Sequence, residues 1–194
     1  DWARFEVNAQ KWADLSEGNY GVALLNDCKY GYDIKDNIMR LTLIKSAIDP
    51  DPMADIGKHS FTYSLLPHRG DWREGDVTRQ AYELNVPVLA EIVAPGHSND
   101  SLPSEFEFAR VNRNHVILDT IKKAEDGDGW VIRLYEFQQR RSQHVQIDFG
   151  KNISKAFEVN LMEENPSPAQ FDGNRLSFSI TPYKIKTFKI WFDD

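Results

Sequence analysis

At 194 residues, 41% hydrophobic and 27% charged, the chain is long enough to bury roughly 70% of the surface its unfolded form exposes, which excludes a scaffold that depends on disulfides or a structural metal. Its formal charge of −7 opposes phosphate backbones and anionic lipid, so no nucleic acid and no membrane is expected as a partner, and no run of about 18 apolar residues exists to cross a bilayer. The single cysteine, Cys28, excludes an internal disulfide and a Cys-cluster zinc site and fits a reducing compartment.

Most apolar stretches alternate with period two, the pattern of strands with one buried face, so an all-β protein with one short helix is expected. Near the N-terminus, Trp12-Ala13-Asp14-Leu15-Ser16-Glu17 reads as a cap or turn beside a buried tryptophan. Strands follow at Tyr20 to Leu25, Ile38 to Ile44 and Phe61 to Leu66. Between Glu74 and Leu84 the apolar residues Val77, Ala81 and Leu84 recur at spacings of four and three, acids stand at the N-terminal end, and Pro87 forbids continuation: a short helix. The breaker-rich stretch from Pro95 to Ser104 is the expected domain boundary, dividing a domain over 1–96 from a linker over 97–104 and a second domain over 105–194. Beyond it, strands are expected at His115 to Ile121, Trp130 to Phe137, Val145 to Phe149, Phe157 to Met162, Leu176 to Ile180 and Phe188 to Phe192. Asp126-Gly127-Asp128-Gly129 tolerates positive φ and folds the first two of these into a hairpin.

The five histidines show no HxH or HExxH spacing; His68 with Asp71 is the nearest thing to a metal-ligand pair, against a turn histidine as the simpler reading. No GxSxG, Walker or GxGxxG motif is present. The densest polar and aromatic segment is Leu25-Asn26-Asp27-Cys28-Lys29-Tyr30-Gly31-Tyr32-Asp33, read as a loop between two strands. Carboxylates accept sugar hydroxyl protons and aromatic faces pack on C–H faces, so the loop suits a polyhydroxylated ligand, while an ordinary hairpin loop stays open as an alternative. Cys28 reads as a small packing residue rather than a nucleophile.

The strings Lys11-Trp12-Ala13-Asp14-Leu15-Ser16, Tyr20-Gly21-Val22-Ala23-Leu24-Leu25-Asn26-Asp27-Cys28-Lys29-Tyr30-Gly31-Tyr32-Asp33, Leu65-Leu66-Pro67-His68 and Gly70-Asp71-Trp72 resemble the C-terminal β region of α-mannosidases of glycoside hydrolase family 38. The likeness is to the bacterial and vacuolar/cytosolic type. It continues through Leu118-Asp119-Thr120-Ile121 to Lys184-Ile185-Lys186-Thr187-Phe188. The resemblance implies part of a galactose-mutarotase-like β-supersandwich followed by a small terminal β-sandwich. It implies a retaining α-mannosidase whose catalytic nucleophile and divalent metal, zinc as a rule, belong to an N-terminal catalytic domain. No catalytic residue, metal ligand or cofactor is then expected in this chain, which would buttress that domain and lend one loop to the active-site rim. In that loop Asp27 and Lys29 would bond substrate hydroxyls, Tyr30 or Tyr32 would form an apolar wall, and Asn26 and Asp33 would hold the loop from behind. In Golgi- and lysosome-type relatives the loop carries an Asp-Arg pair; Cys28 stands at the arginine position here, with Lys29 as the substitute cation. The partners implied are the catalytic domain and an α-mannoside, with a homo-oligomer if an apolar edge is left open, in a cytoplasmic or vacuolar setting. The alternative is a noncatalytic carbohydrate-binding β-sandwich module.

Overall fold

The computed structural model describes residues 6–92 and 103–193, which fall into two compact units, each described by itself below. Of the linker expected over 97–104, only Pro103 and Ser104 lie within the described residues.

The first unit carries β1 (Val7–Asn8), β2 (Trp12–Glu17), β3 (Tyr20–Asn26), β4 (Gly31–Lys35), β5 (Ile38–Leu41), β6 (Tyr63–Arg69) and the helix α1 (Val77–Asn85). All pairings are antiparallel, in two three-stranded sheets ordered β1-β4-β5 and β2-β3-β6. The central strand β3 is covered on both faces. Leu24 packs with Ala13 and Tyr32 toward the first sheet, whereas Ala23 and Leu25 pack with Val77 and Ala81 of the helix, with Trp12, Leu66, Trp72 and Leu84 around them. Burial on both sides is why Val22 to Leu25 reads as a continuous apolar run rather than an alternating one.

The helix begins three residues later than Glu74. Asp71 takes the backbone N–H groups of Arg73 and Glu74, which spends residues 71–75 on a turn, and Asp76 enters the helix in the left-handed region at φ 51°. Its last turn closes with the Val86 N–H on Tyr82 O, ahead of Pro87. Two segments read as turn or loop are strands. Trp12–Glu17 pairs along its whole length with β3, and Gly31–Lys35 pairs with β5. The strand expected from Phe61 starts at Tyr63, because Thr62 bonds Asp27 instead of extending the ladder.

The second unit is a sandwich of a four-stranded sheet, β13-β14-β10-β7, on a five-stranded sheet, β12-β11-β15-β9-β8. Its strands are β7 (Ala109–Val111), β8 (Val116–Lys123), β9 (Trp130–Glu136), β10 (Ser142–Phe149), β11 (Ile153–Val159), β12 (Ser167–Pro168), β13 (Gln170–Asp172), β14 (Arg175–Ile180) and β15 (Ile185–Phe192). Ile132, Leu134, Phe188 and Ile190 of one sheet meet Val145, Ile147, Leu176 and Ile180 of the other, all essentially without solvent contact. The hairpin of β8 and β9 closes over Gly127 and Gly129, at φ 78° and 87°. The strand expected to run to Met162 stops at Val159, because Asn160 folds a turn by accepting the N–H groups of Met162 and Glu164.

Candidate functional site

Between β3 and β4 the chain turns over Asp27 to Tyr30, and the turn is fastened from four directions through Asn26. Asn26 is fully buried; its N–H donates to Lys11 O at 2.9 Å, its Oδ1 accepts the Lys29 N–H at 2.7 Å, its Nδ2 donates to the Tyr32 hydroxyl, and its carbonyl accepts Asn85 Nδ2 at 3.0 Å. Every polar group of a buried amide is thereby satisfied, which makes the base of the turn stiff.

Asp27 and Thr62 bond each other twice. The Asp27 N–H donates to Thr62 O at 3.1 Å, and Asp27 Oδ1 accepts the Thr62 N–H at 2.9 Å. The Thr62 N–H, then the Cys28 thiol, hold the Asp27 carboxyl below the usual range, so the turn presents an anion. The same contact pushes the Cys28 thiol up, which disarms this exposed sulfur as a nucleophile. Lys29 lays its ammonium 5.0 Å from the centre of the Phe61 ring, and Tyr30 leaves 51% of its surface open. A carboxylate, an ammonium and a phenol therefore stand on one rigid turn, a set that bonds and packs against hydroxylated ligands.

Two of the residues expected at the ligand or behind the loop, Tyr32 and Asp33, behave otherwise. Tyr32 is not a wall: strand alternation in β4 turns it inward with Ile34, and it has no exposed surface. Its hydroxyl accepts from Asn26 and donates to Leu24 O at 3.4 Å, and burial pushes the phenol up. Asp33 points the other way on the same strand and pairs with Arg40 of β5, so it does not hold the turn from behind.

A second polar cluster of this unit lies at the far end of β3 and joins Trp12–Glu17, read as a turn, to His68 on β6. His68 Nε2 stands 2.7 Å from Asp14 Oδ1, with side chains only 4% and 5% exposed; Ser16 donates its hydroxyl to the other Asp14 oxygen, and His68 Nδ1 faces Arg69 O at 3.3 Å. Burial works against the charged imidazole, but the bond to Asp14, the Arg69 carbonyl and the charges of Asp14 and Asp71 together raise its pKa. The ring fills a slot between two glycines. A Cβ at Gly21 would lie 2.4 Å from His68 Cε1, and one at Gly75 would lie 2.5 Å from His68 Cγ. Serine and histidine both serve the same carboxylate and do not bond each other, so the cluster is no nucleophilic triad. Period-two spacing along Trp12, Asp14 and Ser16, and along Leu66 and His68, carried the signal for this shared face.

His68 and Asp71 do not converge as ligands, since Asp71 bonds Arg73 and Glu74. Among the described residues no three His, Cys, Asp or Glu side chains come together as a cation would need. No helix among them is long and apolar enough to cross a membrane.

Two sequence models match the chain: the glycosyl hydrolases family 38 C-terminal domain over residues 1–53, and the glycosyl hydrolases family 38 C-terminal beta sandwich domain over residues 115–188. The chain is 38% identical over 194 residues to alpha-mannosidase 2C1 of Mus musculus, covering 96% of this chain and 18% of that protein. It is 39% identical over 195 residues to alpha-mannosidase G of Dictyostelium discoideum, covering 97% and 18%. Among solved structures it is similar to an alpha-mannosidase from Enterococcus faecalis, with a TM-score of 0.76 at 18% identity over 96% of this chain and 21% of that one. The latter likeness concerns the fold. The chain spans about a fifth of the length of the curated relatives it matches.

Proposed function

The chain belongs to glycosyl hydrolase family 38, as C-terminal β domains of a longer enzyme, and we propose that it serves a retaining α-mannosidase by buttressing the catalytic domain and lending it a rim for the sugar. The rim is the turn from Asp27 to Tyr30. Asp27 and Lys29 bond substrate hydroxyls, and the Tyr30 ring supplies the apolar wall. The observation that carries this reading is the contrast within the turn: Asn26 spends its polar groups on fixing it, while Tyr30 keeps half of its surface open beside the half-buried Lys29. Such preorganisation is what a binding group needs if its contacts are to strengthen in the transition state. The buttressing role is supported by the apolar side chains that the first unit leaves open, Tyr63 at 55% and Leu65 at 66% on the edge strand β6 among them.

The test is hydrolysis of an aryl α-mannoside by the full-length enzyme carrying Asp27→Asn, which keeps an acceptor for the Thr62 N–H and removes the charge, and separately Lys29→Ala. A fall in kcat/KM of about tenfold or more is expected for each, as for a lost charged hydrogen bond. Unchanged kcat/KM in both variants sinks the rim.

A further inference from the structure

At one end of the second unit's sandwich an open cavity of about 320 Å³ lies among Trp130, Trp191, Phe108 and Phe192, with Lys151 and Asp193 also lining it. Trp130 breaks the pattern of its own strand. Ile132 and Leu134, on the same face of β9, are fully buried, yet Trp130 keeps 38% of its surface in solvent. Phe108 packs 6.3 Å from it, centroid to centroid and tilted by 50°, and Phe192 meets Phe108 edge-on at 5.7 Å, so the floor is a cluster of rings beside one partly open indole.

Trp191 is fixed as the wall. Its indole N–H donates to Asp128 at 2.8 Å, and the ammonium groups of Lys155 and Lys189 stand 4.6 and 5.3 Å from its ring. Gly129 makes room for it: a Cβ there would lie 2.8 Å from Trp191 Cε2, and φ 87° strains any other residue. An exposed indole, a second indole held still, one ammonium and one carboxylate form a donor and acceptor pair over an aromatic floor. The volume lies at the low end of small-molecule sites and suits a single six-membered ring. Neutral polyhydroxylated rings fit this chemistry, with C–H faces on the indole and hydroxyls on the two charged side chains.

We propose that this cavity is a sugar subsite of the terminal sandwich, seating one α-mannosyl ring of an oligosaccharide on Trp130 with its hydroxyls bonded to Lys151 and Asp193. The identity of the sugar rests on the reading that the longer protein acts on α-mannosides.

The experiment titrates the ¹⁵N-labelled 194-residue chain with methyl α-D-mannopyranoside while the indole N–H resonances of its five tryptophans are followed. Trp130 and Trp191 are expected to move together on one saturable curve, with Trp12 and Trp72 unmoved. Trp130→Ala should weaken binding about tenfold and Trp130→Phe less, with the remaining amide spectrum intact. Should Trp130→Ala fail to fold, Lys151→Ala is the second variant, expected to weaken binding about threefold. Absence of any saturable movement of Trp130 and Trp191, movement confined to residues 26–30, or an unchanged curve in a folded variant overturns the subsite. The titration reads no catalysis, so its failure leaves the Asp27→Asn result standing, and a fully active Asp27→Asn enzyme leaves the titration standing.

Discussion

Asn85, the last residue of α1, donates one amide hydrogen to the carbonyl of Asn26 at 3.0 Å and another to Ala81 O at 2.8 Å, so the end of the helix and the base of the turn from Asp27 to Tyr30 are tied by a single side chain. The helix itself is seated by Val77 and Ala81 on Ala23 and Leu25, which means apolar packing sets the height at which the turn is held. Asn85→Ala should cost about 1–2 kcal/mol in urea unfolding, because a buried carbonyl loses its donor. Faster amide exchange at Lys29 and Tyr30, ahead of global unfolding, is the local signature to look for.

The pair of His68 and Asp14 makes stability depend on pH. The folded-state pKa of His68 lies above its ordinary value of 6.5, so this contribution is fully present below about pH 6.5 and is lost as pH rises through the folded value. Asp14→Asn should flatten that decline and lower stability by about 1–3 kcal/mol at pH 6. Urea midpoints collected from pH 5.5 to 8.5 on both proteins check the sign; equal slopes refute it.

The slot around the imidazole is intolerant of bulk. Gly75→Ala places a methyl group 2.5 Å from His68 Cγ and should destabilise by about 1–3 kcal/mol, the ordinary cost of overpacking. Thermal unfolding measures it, and a loss of the pH dependence described above should accompany it.

Glu136 is 1% exposed and accepts four backbone N–H groups, from Gln138 at 2.8 Å, Gln139 at 3.0 Å, Arg140 at 2.9 Å and Tyr183 at 2.9 Å. It therefore organises two loops of the second unit. Glu136→Ala strands those donors and should cost about 3 kcal/mol or more, with Glu136→Gln cheaper because it keeps one acceptor oxygen. Equilibrium unfolding followed at the second unit's tryptophans reads the difference.

Leu65 leaves 66% of its surface open on β6. Leu65→Asp should change the stability of the 194-residue chain by less than about 0.5 kcal/mol, as exposed substitutions do. In the full-length enzyme the same change should lower the unfolding temperature, because the buttressing reading places this face against the rest of the protein. No effect in either context removes Leu65 from that interface.

The resemblance in the strings around Asn26 and His68 led to the right family, and turn chemistry located the hairpin over residues 126–129 and the end of the helix before Pro87. Trp12–Glu17 escaped as a strand because one of its polar side chains, Asp14, turns inward to meet His68, which departs from the usual pattern. Gly31–Lys35 escaped because Tyr32 reads equally well as a displayed aromatic or a core one.

Alternation along the chain determined by itself which side chains share a face, and breakers determined the hairpin over residues 126–129 and the helix end before Pro87; these are local consequences of backbone geometry. Only the tertiary structure decided that Tyr32 faces inward, that Asp14 meets His68 across 54 positions, and that Glu136 reaches Tyr183 across 47. Such partners are chosen by which sheets and helix cover which face. A buried carboxylate or phenol is stable only where those distant elements supply its hydrogen bonds.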